Sequence, residues 1–358
     1  MIASDKTPTV VRGGKLTFAV LFSIIVWAVL CAFPIGMKGM RIIYQKKMTD
    51  MEKRVSEQYA VTCWGDSLTA GACGDGVTFP NVLADCIAKK YMEVPVHNMG
   101  IGGENSITIL GRAGVLEVKL TEETAIPADC VPVEVHFALA DGSGFYPLRQ
   151  GDGGMNPVRL GAISGTLSCR QRSIYDSSSD VQYFFTRAEA GTAEKLQTGE
   201  TLTVDNAGKY ESDITVIFIG TNGGYSSTAD LIAQQKRLIR NDRYLVIGLT
   251  CGAAADYAEL DAEMEKAYGA HYFNLRAYLC ENGLRLAGLP ETAEDRAAIA
   301  DGIVPPSLRS DSVHFNATGY RLIGEAVFER LDALGIWADL RSDAVQYRKW
   351  AEQIACLY

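Results

Sequence analysis

The sequence predicts an α/β fold, a mostly parallel sheet covered by helices on both faces, and three observations predict it. Apolar runs recur at residues 59–64, 213–219 and 244–250, without the polar alternation of a half-exposed strand. Such runs are those of strands buried on both sides. Stretches with helical apolar spacing follow them, and strands alternating with helices build parallel sheets. Between residues 106 and 212 this rhythm gives way, for about 100 residues, to period-two runs broken by Gly and Asp, the pattern of antiparallel β structure.

In chain order, residues 1–15 form a short tail carrying Lys6, Arg12 and Lys15. Residues 16–33 (LTFAVLFSIIVWAVLCAF) carry no charge, and extended to Met37 the run reaches the ~20 residues that span a bilayer as a helix. It is longer than the ~7–15-residue core of a signal peptide, and no small-x-small cleavage site follows. The expectation is an uncleaved transmembrane anchor at 16–37. Lys38, Arg41, Lys46 and Lys47 follow it, so positive charge flanks both sides and gives orientation little help. A short tail that stays inside places the catalytic domain outside the cytoplasm. Residues 38–57, charged and without Pro or Gly after Met40, read as a helical stalk.

The strand at 59–64 leads into a serine turn, and Pro80 opens a helix with Val82, Leu83, Cys86 and Ile87 on one face. A short strand at 96–99 runs into a glycine-rich loop. After the strand at 213–219 a helix starts near Thr228, and after the strand at 244–250 another runs through Leu260, Met264 and Tyr268. A strand-like stretch at 272–275 follows. The last core helix covers about 319–334, with Asn316 or Thr318 as its cap. The domains read as 58–106 with 213–358 for the α/β part and 107–212 for a β-rich insert, in which 116–120, 133–139 and 201–204 are the clearest strands.

Composition narrows the function. With 358 residues, 47% hydrophobic and 22% charged, the chain has room for one large domain with a sizeable core. Its net charge is −9, and no dense Lys/Arg block appears beyond the N-terminal region, which argues against a nucleic-acid partner. Nine cysteines include no C-x-x-C pair and no Cys/His group at zinc spacing; Cys63, Cys86 and Cys251 lie in apolar runs as small core residues. Spacing does not pair the rest.

Four short blocks carry chemistry. Gly65-Asp66-Ser67-Leu68 places a hydroxyl directly after a strand, where ligands bind in open α/β sheets. Asn98-Met99-Gly100-Ile101-Gly102-Gly103-Glu104-Asn105-Ser106 is a glycine loop without the third glycine of a dinucleotide fingerprint. Gly220-Thr221-Asn222-Gly223 follows the strand at 213–219, and Asp311-Ser312-Val313-His314 supplies an imidazole and a carboxylate three residues apart. A serine is a poor nucleophile unless a base takes its proton, and the base needs an acid to fix its tautomer. Of the four histidines only His314 has that setting; His97, His136 and His271 lie in or beside strands.

Taken singly, each block has an ordinary reading as a turn or a cap; in this order, each at an element end, they resemble the SGNH (GDSL-type) serine hydrolases. The resemblance covers about 59–106 and 213–334 and omits the anchor and the insert. It implies a three-layer α/β/α domain with a flavodoxin-like sheet. It further implies Ser67 as nucleophile, His314 as general base and Asp311 as its orienting acid. The oxyanion would be held by the backbone N–H groups of Ser67 and Gly103 and by the Asn222 amide. Gly223 stands where the family usually has Asp, which puts the usual bracing of that loop in question.

This chemistry needs no metal and no cofactor. It points to a membrane-anchored esterase acting on small acyl esters, acetyl first among them, with acetylated cell-surface or extracellular carbohydrate as the substrate class. The same triad serves an acyltransferase, a lipase or a thioesterase. A non-catalytic glycan- or protein-binding scaffold working through the insert is the reading from another class. Phe145, Tyr146, Tyr183 and Phe184 are the aromatics that such an insert would offer to sugar rings, with half of them expected in the core.

Overall fold

The computed structural model describes residues 14–146, 154–170, 181–205 and 213–357, with few side chains before residue 36. The tail with Lys6 and Arg12 lies outside the described residues. The chain forms two compact units, 55–341 and 1–54 with 342–358.

In the larger unit the apolar runs become a five-stranded parallel sheet. Its strands are β1 (Val61–Gly65), β2 (Val96–Gly100), β12 (Ile214–Phe218), β13 (Tyr244–Ile247) and β14 (Tyr272–Phe273), in the spatial order β2-β1-β12-β13-β14. Renumbered within the sheet this is 2-1-3-4-5, the flavodoxin-like order, whose switch point falls between its first and third strands. Here that point lies between β1 and β12, which run parallel with Val61 opposite Ile214 and Gly65 opposite Phe218.

Helices cover both faces. Trp64, Ile217, Ile219 and Val246 share a core with Ile109 and Leu110 of α4 (Ser106–Arg112), Leu231 of α5 (Thr228–Lys236) and Met264 and Tyr268 of α6 (Ala254–Tyr268). On the other face Phe218 meets Phe79 edge-on in α3 (Phe79–Lys90), which packs on α9 (Ala317–Ala333). Between them α2 (Ser67–Ala70) is a single turn, and α7 (Leu275–Ala287) and α8 (Ala293–Ala300) fill the stretch before α9. The starts obey local rules: Thr78 Oγ1 accepts the Asn81 N–H and Asn316 Oδ1 the Gly319 N–H.

The expected insert begins with a helix: residues 106–112 are α4 and belong to the parallel-sheet core. The β structure proper comprises β3 (Val118–Leu120), β4 (Thr124–Ile126), β5 (Val133–Val135), β6 (Phe137–Leu139), β7 (Val158–Leu160), β8 (Ile163–Arg170), β9 (Gln182–Arg187), β10 (Glu194–Leu196) and β11 (Thr201–Val204). Seven of these strands form an antiparallel sheet in the order β5-β9-β8-β7-β11-β3-β6, and β10 pairs with β4. The run 133–139, read as one strand, is two, because β5 pairs with β9 and β6 with β3. Phe145 and Tyr183 belong to the insert's own core, so that of the four aromatics expected to meet sugar rings Tyr146 and the half-buried Phe184 are accessible. Phe145 also reaches α4, where a Cβ on Gly111 would lie 2.1 Å from its ring.

The expected span 16–37 and stalk 38–57 fall in one helix, α1 (Gly14–Gln58). Most side chains of the span lie outside the described residues, and among the described residues no helix is long and apolar enough to cross a membrane. In the smaller unit the stalk is not alone: Arg54 pairs with Asp343 of α10 (Ala338–Ala355) at 2.7 Å, and Tyr347 donates to Glu52. The thiols of Cys63, Cys73, Cys86, Cys130, Cys251, Cys280 and Cys356 are free.

One glycine sets the distance between sheet and site. A Cβ on Gly100, at the end of β2, would lie 2.1 Å from the Ala70 nitrogen and 2.6 Å from the Thr69 carbonyl carbon. Both are backbone atoms and cannot rotate away. Gly100→Ala is expected to destabilise the protein by about 3 kcal/mol or more, as overpacking against backbone does. The midpoint of urea unfolding checks it; an unchanged midpoint would show that α2 is not held against β2.

Candidate active site

The serine turn is built by Asp66. Its Oδ1 accepts the Leu68 N–H at 2.9 Å and caps α2, so that Ser67 is the first helical residue beyond the sheet edge. Gly71, at φ +83, ends the turn. Ser67 is almost wholly buried, at 8% exposure.

His314 arrives from the other end of the chain. The loop before α9 is held by the Ser310 N–H to the His314 carbonyl at 2.9 Å and the Asn316 N–H to the Leu308 carbonyl at 3.1 Å. Asn316 also donates its Nδ2–H to Ser307 O at 2.9 Å, so the asparagine that caps α9 also braces the loop before it. Within the loop the Asp311 carboxylate accepts the backbone N–H groups of Val313 and His314, both at 2.7 Å. Its Oδ2 lies 2.8 Å from His314 Nδ1, and His314 Nε2 lies 2.9 Å from Ser67 Oγ, 247 residues away in sequence.

The proton positions follow from charge. The hydrogen bonds from His314 and from the backbone hold the Asp311 carboxyl down at about 2, so it is ionised and only accepts. Nδ1 therefore carries the hydrogen, and Nε2 is left to accept from the Ser67 hydroxyl. That is the tautomer a general base needs.

The facing side of the site is stitched from two loops. The Asn222 Nδ2–H donates to Glu104 O at 2.9 Å, and the Ser106 N–H donates to Gly223 O at 3.0 Å. Gly223 has φ +74 and Gly224 φ +90, so the residue standing in place of the family's Asp supplies a backbone turn instead of a side-chain brace. Asn222 keeps a second amide hydrogen. Gly103 has φ +77, and a Cβ on its neighbour Gly102 would lie 3.9 Å from Ser67 Cβ, which puts the glycine loop beside the nucleophile.

A pair that the motifs did not single out fixes this loop. Arg112, from α4, donates to Glu104 Oε2 at 2.6 and 3.0 Å and to Met99 O at 2.7 Å, with its guanidinium 5.3 Å from the Trp64 ring centroid. Both side chains are almost fully buried. Burial pushes the Glu104 carboxyl up and Arg112 pulls it back. The insert touches the same place: a Cβ on Gly154 would lie 2.6 Å from Arg112 Cδ and 2.9 Å from Ile101 Cδ1.

Ser67, His314 and Asp311 are thus brought together, and Asn222 and the 100–105 loop face them. The other histidines are elsewhere: His271 is bonded to Tyr244 O, and His136 lies near Glu122.

No family model and no curated protein matches the sequence. Among solved structures, a lipase/acylhydrolase from Enterococcus faecalis matches at 14% identity and a TM-score of 0.37, over 77% of this chain and 96% of that one. A two-domain esterase active on acetylated mannans matches at 13% identity and TM-score 0.34, over 81% of this chain and 53% of that one. A peptidoglycan O-acetylesterase matches at 12% identity and TM-score 0.32, over 84% and 96%. Likeness at this level assigns no reaction.

Asp66 carries a cost. It is fully buried, and loss of hydration pushes its carboxyl up to about 6. Its Oδ2 and the Thr221 hydroxyl are both buried without a partner at hydrogen-bond geometry, although Thr221 is near enough to favour the charged carboxylate. Between about pH 4 and pH 6 the folded protein keeps a proton that the unfolded chain has released, so stability falls as pH rises through that window. Asp66→Asn preserves the cap and gives Thr221 a donor. It is expected to add on the order of 1–3 kcal/mol at about pH 8 and nothing at about pH 4. Urea unfolding at the two pH values checks this, and an equal gain at both would exclude the charge as its source.

Proposed function

We propose that the protein is a serine ester hydrolase acting through an acyl-enzyme. The observation that carries the reading is the unbroken hydrogen-bonded chain from Ser67 through His314 to Asp311, in the tautomer that lets His314 accept a proton. Ser67 attacks the ester carbonyl while His314 Nε2 takes its proton. The backbone N–H groups of Ser67 and Gly103 and the free hydrogen of the Asn222 amide stabilise the oxyanion; such donors are each worth ~10²–10³ in rate. His314 then protonates the leaving alcohol, and water, deprotonated by the same imidazole, hydrolyses the acyl-Ser67.

The substrate class follows from access. Asp311 is about half exposed, with 48% of its side chain open, and His314 is partly exposed at 24%. A triad so near the surface suits a small acyl group carried by a bulky alcohol, and acetyl esters of cell-surface or extracellular carbohydrate are the substrates we propose. The contact of Gly154 with Ile101 and Arg112 gives the insert a route to select among them. Anchoring through residues 16–37, with the hydrolase unit outside the cytoplasm, belongs to the same proposal and rests on the uncharged run in the sequence.

Ser67→Ala is expected to abolish labelling by a fluorophosphonate probe and to lower turnover of p-nitrophenyl acetate by ~10⁴-fold or more. A folded wild-type chain that neither labels nor hydrolyses would sink the reading. For the anchor, the full chain is expected in the membrane fraction after carbonate washing. Release by the wash would reject it.

A further inference from the structure

The turn after α2 brings a thiol to the triad. Cys73 Sγ, a carboxylate oxygen of Asp311 and a ring nitrogen of His314 all lie within 4.8 Å of one another. No spacing rule in the sequence announces this group, since Cys73 is 238 residues before Asp311. Thiolate, imidazole and carboxylate are the ligands of zinc, which takes them at ~2.0–2.3 Å in a tetrahedron, with ligand atoms about 3.5 Å apart. Side-chain rotations of about an ångström close that difference. Cys73 and Asp311 are exposed, so an ion reaches them from solvent.

The backbone under the thiol is fixed to the loop that carries the other two ligands. Ser310 Oγ–H donates to Cys73 O at 3.1 Å, and Tyr320 O–H donates to Ala72 O at 2.9 Å. Tyr320 also packs on the next residue, where a Cβ on Gly74 would lie 2.5 Å from its ring. Cys73 itself holds φ +64, a left-handed conformation that is uncommon for a residue with a side chain. The three ligands therefore move as one assembly.

We infer that Cys73, Asp311 and His314 form an inhibitory site for a thiophilic divalent cation, zinc above all, with water as the fourth ligand. Soft sulfur and imidazole favour zinc over magnesium or calcium. On binding, the Cys73 thiol releases its proton to solvent and a metal–sulfur bond forms. If Nε2 of His314 is the ligand, its lone pair is no longer available to Ser67. If Nδ1 is the ligand, its hydrogen leaves to solvent and Nε2 takes one up in its place, so the bond to Asp311 is broken and Nε2 no longer accepts. Either way Ser67 loses its base until the metal is removed. The inhibition rests on the serine-hydrolase reading; the binding does not.

The test is a cobalt titration of the full chain, wild type and Cys73→Ser, followed by the thiolate-to-cobalt charge-transfer absorption, with p-nitrophenyl acetate turnover measured in parallel with zinc and with EDTA. The absorption is expected in the wild type, lost in Cys73→Ser and displaced by zinc. Zinc is expected to remove wild-type turnover, EDTA to restore it, and Cys73→Ser to hydrolyse normally while needing at least ~10-fold more zinc for the same inhibition. No absorption in the wild type, or equal absorption in both proteins, overturns the site. Cys73-dependent binding that leaves an active enzyme unslowed overturns the inhibition. Cys73-dependent absorption in a protein that never hydrolyses esters supports the metal site and defeats the hydrolase reading instead.

Discussion

The seam between the turn after Ser67 and the loop before α9 is the contact on which the site depends. Three side chains cross it: His314 to Ser67, Ser310 to the Cys73 carbonyl and Tyr320 to the Ala72 carbonyl. Only the first belongs to the proposed chemistry. The other two grip backbone, so they fix the position of the α2 turn whatever the serine is doing. Loop closure over so many residues costs entropy that grows slowly with length, and the packed sheet between the two segments meets that cost once for all of these contacts. Fully buried Tyr320 and Phe315 stack edge-on with centroids 5.7 Å apart, which makes the seam part of the core and not a surface latch.

On the opposite side of Ser67, a buried ion pair does what the seam does. A buried Glu–Arg pair is poor evidence of net stability, because desolvation offsets attraction, but losing one partner is costly. Its value here is positional. Arg112 ties together Trp64 on β1, Met99 on β2 and Glu104 in the glycine loop, while the Glu104 carbonyl orients Asn222 after β12. The two strands that flank the switch point and the loop from β2 are thereby set relative to one another before any substrate arrives. Asp66 adds a destabilising charge at the same place. Buried polar groups retained at a cost are what a preorganised site requires, and they sit where the chemistry sits.

How much of this was legible in the sequence depends on where each signal lay. β1, β12 and β13 were visible because parallel strands covered on both faces leave continuous apolar runs. The helix α7 was not, because its buried side includes Arg276 and Gly283 between Leu275, Leu279 and Leu284, which blurs the apolar period. In the insert β8 escaped for a similar reason: its inward residues are Ile163, Gly165 and Leu167, and a glycine in the middle position weakens the alternation. The break at His136 was invisible locally, since it follows from which partner each half of 133–139 finds. The grouping of Ser67, Asp311 and His314 could be read because the proposed chemistry needs those residue types beside element ends. Arg112 could have been found as an arginine on the apolar side of a helix start that also carries Ile109 and Leu110, a placement that asks for a buried acid.

Cys73 marks the limit of reading by spacing. Zinc spacing in sequence records ligands from one local unit, whereas here the fold, not the local chain, supplies the neighbourhood. The geometry that makes His314 a competent base is an accessible imidazole with a free lone pair, held next to a carboxylate and close to solvent. The same geometry makes it a competent ligand. Under the proposed function, a triad this near the surface exposes its base to metals as well as to substrates, and the thiol of Cys73 on the adjoining turn supplies the further ligand of the inferred site. In the proposed hydrolase, silencing by metal would then depend on Cys73 as well as on the triad.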